Sequence, residues 1–157
     1  TPFRMYKRYT HEGGVATPLI VHWPDGFKAR GDLRHAPSHI IDVAPTCLSV
    51  AGLSGKGMAG KSLLPVFAKD SEKERTLYWE HEGNRAVRKG DYKLVAMHDT
   101  PWELYDMKKD RSELKDLSKI RPGKAKELRL LYEAWAKRVG ALPWNDVMVT
   151  KKKKIKK

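Results

Sequence analysis

Thr76-Leu-Tyr-Trp79-Glu-His81-Glu82-Gly83-Asn84-Arg85-Ala-Val-Arg88-Lys89-Gly90-Asp91-Tyr92-Lys93-Leu-Val-Ala-Met97-His-Asp99-Thr100-Pro101-Trp102-Glu103-Leu-Tyr105-Asp106 holds four short runs of aromatic and aliphatic residues. The runs are Thr76 to Glu82, Asn84 to Arg88, Tyr92 to Met97 and Trp102 to Tyr105, each bounded by Gly, Asp or Pro and each too short for an independent helix. Lys89-Gly90-Asp91 reads as a tight reversal, because glycine tolerates the positive φ that a two-residue connection demands. Asp99-Thr100-Pro101 marks the next reversal. The spacing predicts an antiparallel meander of about four strands.

Downstream, the pattern changes period. Leu128, Leu131, Tyr132, Trp135 and Val139 recur at helical spacing and form one apolar stripe, with Lys124, Lys126, Glu127, Arg129, Glu133, Lys137 and Arg138 on the other faces. Pro122 suits the first turn and Gly140 the stop, so a helix over 122–139 is expected to lie on the sheet. Lys151-Lys-Lys-Lys154-Ile-Lys156-Lys157 carries six positive charges and one apolar residue, and reads as a disordered tail, either a solubilising appendage or a weak polyanion binder.

Upstream, three glycines between Ser54 and Gly60 make a natural boundary. Before them, Asp42 is placed to cap a helix whose first turn accepts Pro45 and which stops at Gly52. Residues 17 to 23, between Pro18 and Pro24, read as a short buried strand. The chain opens with Thr1-Pro-Phe-Arg-Met-Tyr-Lys7-Arg-Tyr-Thr-His11-Glu12-Gly13-Gly14, where the paired glycines are expected to supply positive φ in a turn that sets Lys7 beside an anion.

These segments, in this order, resemble the C-terminal third of the formylglycine-dependent sulfatases, the arylsulfatase-type enzymes. The match runs from Pro2-Phe-Arg through Lys7 and Glu12-Gly13-Gly14 to Trp23-Pro24, then Pro37-Ser-His39-Ile-Ile-Asp42-Val-Ala-Pro45-Thr46, Gly60-Lys-Ser62-Leu63, Trp79 to Lys93 and Trp102 to Asp106, covering roughly residues 2–144. It implies an α+β chain. Residues 1–53 would be the remnant of a large α/β, alkaline-phosphatase-like domain. Residues 54–144 would form the small subdomain, a sheet packed by a C-terminal helix, and 145–157 the disordered tail.

The resemblance also implies roles. In similar enzymes a lysine five positions before the Glu of Glu-Gly-Gly contacts the substrate sulfate, and that position is Lys7. His11 would line the substrate pocket, and His81 and Asn84 would contact the part of the substrate beyond the sulfate. The intact enzyme would need calcium and a formylglycine made within Cys/Ser-x-Pro-x-Arg. No such motif occurs in these 157 residues, and Cys47, the single cysteine, lacks the following Pro and Arg. The expectation is therefore no cofactor or metal site in this chain, and hydrolysis of an organic sulfate, aryl or carbohydrate, only together with the missing N-terminal half.

Composition bounds the alternatives. The chain is 40% hydrophobic, enough to bury a core, and its single cysteine excludes an internal disulfide. Cys47, in an apolar stretch, is expected to be buried. A net charge of +13 would suit a non-enzymatic polyanion-binding module, but the tail supplies six of those charges and leaves +7 for the body. His35 and His39 have helical i, i+4 spacing, yet Pro37 between them breaks the helix that a metal pair would need.

Overall fold

The computed structural model of this chain describes residues 2–28, 31–69 and 74–155. In chain order the elements are α1 (Glu12–Val15), a single 3-10 turn (Ile40–Asp42), α2 (Val43–Val50), α3 (Leu64–Ala68), β1 (Thr76–His81), β2 (Asn84–Lys89), β3 (Tyr92–Ala96), β4 (Glu103–Asp106), α4 (Pro122–Val139) and α5 (Trp144–Ile155). They form two compact units, Leu19–Arg75 and Thr1–Pro18 with Thr76–Lys157. The boundary expected near residue 54 is thus displaced in both directions. Residues 54–75 stay with the preceding helices, and the opening segment joins the sheet because it buries charged side chains there.

The sheet unit is α+β, as the meander and helix spacing imply. Its four strands are antiparallel in the order β1-β2-β3-β4, and the β2–β3 register pairs Ala86 with Val95 and Val87 with Leu94. Side chains alternate faces along each strand. Tyr78, Val87, Leu94 and Leu104 therefore share one face, while Trp79, Asn84, Ala86, Lys93, Val95, Glu103 and Tyr105 share the other. Both two-residue hairpin loops begin with positive φ: 51° at Glu82 followed by 81° at Gly83, and 57° at Gly90. Positive φ at both Glu82 and Gly83 matches the strand twist of a type I′ turn.

Helix α4 covers the first face. Leu128 is fully buried against Val87, Leu94 and Leu104, with Tyr132 beside it. Trp135 stacks on Tyr78 at 5.0 Å between ring centroids, and Trp102 meets Tyr132 edge-on at 5.3 Å. Burial of Leu128 alone stabilises this contact by roughly 2–3 kcal/mol. Gly140, at φ 71°, ends the helix in the left-handed conformation that a glycine C-cap permits. Val139, the last member of the stripe, is exposed. The backbone from Trp144 continues as α5, which corrects the expectation of a disordered tail as far as Ile155; Lys156 and Lys157 lie outside the described residues.

In the Leu19–Arg75 unit, Asp42 is the hub. It is fully buried and accepts two hydrogen bonds from Arg75, at 2.7 and 2.9 Å, and one each from the backbone N–H of Lys61 (2.9 Å) and His39 (2.8 Å). Burial alone would raise its pKa, but Arg75 and the two N–H donors outweigh that and hold the carboxyl below its ordinary value. The expected side-chain cap on α2 is absent, and both oxygens are spent instead on Arg75, Lys61 and His39. Thr46 donates to the Asp42 carbonyl and accepts from Leu63 N–H, closing the same knot. A β-carbon at Gly60 would collide with the Ile41 carbonyl, which explains the glycine before Lys61. His39 Nδ1 accepts from Ile41 N–H at 3.3 Å within this turn.

Two expectations fail in this unit. Residues 17–23 form no strand: Leu19, Ile20 and Val21 are exposed, Ile20 at 90%, and among the described residues no strand pairs with them. A strand needs neighbouring backbone to satisfy its N–H and C=O groups, and none is supplied. Cys47 is exposed instead of buried. It lines an apolar cavity of about 380 Å³ with Val21, Trp23, Val50, Leu63 and Phe67, so the apolar face of α2 is open.

Candidate functional site

The second face of the sheet is covered by the opening segment, and the reason is charge. Lys93 is fully buried, its Nζ 3.1 Å from Glu12 Oε1 and 2.9 Å from Glu113 Oε1. Glu113 Oε2 also accepts the Glu12 backbone N–H at 2.8 Å, and Arg111 reaches Glu12 Oε2 at 3.2 Å. A lone ammonium in this position would be costly to desolvate, so two carboxylates accompany it. Glu12, from the Glu-Gly-Gly motif, is thereby locked to the middle of β3.

A second cluster lies beside it. Arg4 donates to Glu103 Oε2 at 2.9 Å and to the Tyr105 hydroxyl at 2.6 Å, and Tyr105 donates to Glu103 at 3.0 Å. His11 sets Nε2 3.2 Å from the same Glu103 oxygen. A carboxylate only accepts, so Nε2 carries the proton and Nδ1 is the bare nitrogen, with no hydrogen-bond partner among the described residues. Burial lowers the His11 pKa, outweighing the carboxylate beside it. Burial would raise that of Glu103, but Arg4, His11 and Tyr105 together bring it below its ordinary value. The Tyr105 hydroxyl is pushed up by burial and by Glu103.

On these two clusters rides the segment that carries Lys7. Gly13 and Gly14 lie within the single turn of α1, and neither has positive φ. Their purpose is close approach: a β-carbon at Gly13 would strike the Met5 carbonyl, and one at Gly14 the Tyr9 carbonyl. Gly13 N–H donates to the Arg4 carbonyl at 2.9 Å, so residues 4–9 wrap directly over the glycines. Positive φ occurs instead at Met5 (62°) and Arg8 (70°), which bracket Lys7. Tyr9 N–H donates to the Tyr6 carbonyl at 3.2 Å, making Tyr6–Tyr9 a turn with Lys7 and Arg8 at its centre. Lys7 is exposed there, and among the described residues its ammonium makes no ion pair.

The hairpin between β1 and β2 meets this turn. Asn84, only 3% exposed, donates through Nδ2 to the Arg8 carbonyl at 3.2 Å and to the His81 carbonyl at 3.0 Å, and accepts His98 N–H on Oδ1 at 3.3 Å. Arg8 pairs with Glu82 at 2.7 Å. His81 is exposed at the end of β1, opposite Asn84. His81 and Asn84 thus lie at the same end of the sheet as the turn that carries Lys7. His11 and Asn84, however, are buried: Asn84 spends its amide on three backbone groups, and His11 holds Glu103 through Nε2. The charged pairs on Lys93 and Glu103 went unread in the sequence; a lysine inside the apolar run Tyr92–Ala96 was the available signal.

Among the described residues, no group of three or more His, Cys, Asp or Glu is placed to hold a metal ion, and no helix is long and apolar enough to cross a membrane.

The chain has counterparts among known proteins. Residues 3–131 match the family model described as N-sulphoglucosamine sulphohydrolase, C-terminal, and the chain belongs to that family of sulfatase C-terminal portions. It is 32% identical over 153 residues to an uncharacterized sulfatase of Schizosaccharomyces pombe, covering 85% of this chain and 27% of that one. An N-acetylglucosamine-6-O-sulfatase of Bacteroides thetaiotaomicron is 32% identical over 127 residues, covering 71% and 23%. Among solved structures, i-CgsB in complex with a neocarrahexaose superposes with a TM-score of 0.77 at 27% identity, covering 86% of this chain and 32% of the other. The chain therefore spans about a quarter of the length of these curated relatives.

Proposed function

We propose that this chain supplies the sulfate-holding lysine of a sulfatase acting on sulfated carbohydrates. The supporting observation is the Lys7 turn: an exposed ammonium with no acidic partner among the described residues, on a backbone clamped from below by Gly13 and Gly14 and from the side by Asn84. Hydrolysis of a sulfate ester breaks an S–O bond, and negative charge grows on the departing oxygen and the sulfuryl oxygens. An ammonium already in place stabilises that charge without reorganising. Relatives described as amino-sugar sulfatases favour a carbohydrate ester, with exposed His81 contacting the sugar beyond the sulfate.

Formylglycine and calcium do not fit the residues of this chain, which offers neither Cys/Ser-x-Pro-x-Arg nor, among its described residues, a metal-ligand cluster. In this reading, residues outside these 157 would hold both groups. His11 and Asn84, expected as ligand contacts, serve this reading as supports of the Lys7 turn.

The test is Lys7→Ala in the full-length protein with its N-terminal sulfatase portion, assayed on 4-nitrophenyl sulfate. A fall in kcat of about 10²-fold is expected, the scale of losing one oxyanion-stabilising group. An unchanged kcat would remove Lys7 from the chemistry.

A further inference from the structure

Asn84 stands at the meeting point of three backbone segments: the Lys7–Arg8 turn, the end of β1 and the stretch after β3. Its Nδ2 faces two carbonyl oxygens and its Oδ1 an N–H, so only one orientation of the amide satisfies all three contacts. The segment it grips is not one that would hold itself. Met5 and Arg8 both sit at positive φ, where a side-chain-bearing residue is disfavoured unless its surroundings determine it. The other tie to the hairpin, Arg8 with Glu82, has 57% and 35% of its side chains exposed, and solvent weakens such a pair. That leaves the buried amide as the stronger lateral anchor of the turn.

We propose that Asn84 is the positioning residue for Lys7, fixing where the ammonium meets the sulfate through its hydrogen bond to the Arg8 carbonyl. This rests on the reading of Lys7 given above. Asn84 touches no substrate. It acts one peptide away from the lysine, transmitting the rigidity of the sheet to a turn that has no regular secondary structure of its own. The hairpin and the sulfate-holding turn are then one mechanical unit. The buried position of Asn84 follows from strand alternation, which puts it on the face that the opening segment covers.

The experiment is a double-mutant cycle in the full-length protein, again with 4-nitrophenyl sulfate: wild type, Lys7→Ala, Asn84→Ala and the pair. Asn84→Ala is expected to lower kcat roughly tenfold, as misplacement of a reacting group by a fraction of an ångström would, with KM changing less than about threefold. In the Lys7→Ala background the same change should cost nothing further, because a residue acting only through Lys7 has nothing left to position. Equal losses in both backgrounds would assign Asn84 a general structural role and overturn the proposal. So would an unchanged kcat in Asn84→Ala beside a crippled Lys7→Ala. A silent Lys7→Ala would instead defeat the underlying reading of Lys7, so the two failures are distinguishable. If Asn84→Ala does not fold, Asn84→Ser applies the same criterion: its hydroxyl can reach the local His81 carbonyl but is too short for Arg8.

Discussion

The two faces of the four-stranded sheet are covered by different means. On one, α4 lays Leu128 and Tyr132 onto Val87, Leu94 and Leu104, a contact that is apolar and indifferent to small shifts in angle. On the other, residues 4–14 bring Arg4, His11 and Glu12 onto Lys93, Glu103 and Tyr105, where a displacement of an ångström would leave a buried charge unpaired. Hydrophobic burial is non-directional, whereas charge pairing in a dry interface demands one geometry. The helix face therefore supplies bulk stability, and the charged face fixes the position of the segment that carries Lys7.

Lys93→Met gives the largest expected effect. It removes the ammonium from buried Glu113 and leaves Glu12 with only the half-exposed Arg111, and a cost of about 3–5 kcal/mol is expected in urea unfolding followed by hydrogen exchange of the sheet amides. A cost under about 1 kcal/mol would mean these groups behave like a solvated surface pair, and the contrast between the faces would collapse. Leu128→Ala on the opposite face should cost about 2–5 kcal/mol by the same measurement, yet leave protection of the α1 amides relative to the sheet unchanged. Selective loss of α1 protection in that variant would show that the two coverings are not independent.

Acid gives the smallest and most selective effect. Around His11 stand Glu103, Glu113, Arg4 and Lys93. Because burial lowers its folded pKa below the ordinary 6.5, the unfolded chain takes up the proton first, and stability drains away as pH falls from that value towards the folded pKa. Glu103, depressed below 4.5, contributes stability that is present above that value and lost as pH falls through its folded pKa. Tyr132, on the helix face, is pushed up to about 12 by burial and stays neutral throughout. Protection of the α1 amides should therefore fall in two stages between neutral pH and pH 4 and below, before that of α4. Simultaneous loss at both faces would contradict the assignment.

What could be read beforehand follows the same division. The strands, their reversals and α4 announce themselves because their periods of two and 3.6 residues and their glycine stops are local signals. The strand expected at 17–23 is a local signal too, but among the described residues no strand pairs with it, and it stays exposed. Glu-Gly-Gly was legible as a tight feature and misread in mechanism, since a glycine needed for close approach looks identical in sequence to one needed for positive φ. Asn84 and His11 were expected to contact a ligand, and only coordinates show that both side chains are buried and that the Asn84 amide is spent on backbone groups.

Taken alone, the order of residues determined a four-stranded meander with a helix on it, the family motifs and the lysine before Glu-Gly-Gly, because each depends on neighbours within a few positions. Tertiary structure alone decided that Lys93 and Glu103 are buried, that the opening segment belongs with the sheet, and that Asn84 holds the turn bearing Lys7. Those facts depend on residues some 75 to 100 positions apart, such as Asn84 with Arg8 and Arg4 with Glu103. No local pattern records such a distance, since a charged residue in a strand looks solvent-facing until something of opposite charge is seen to cover it.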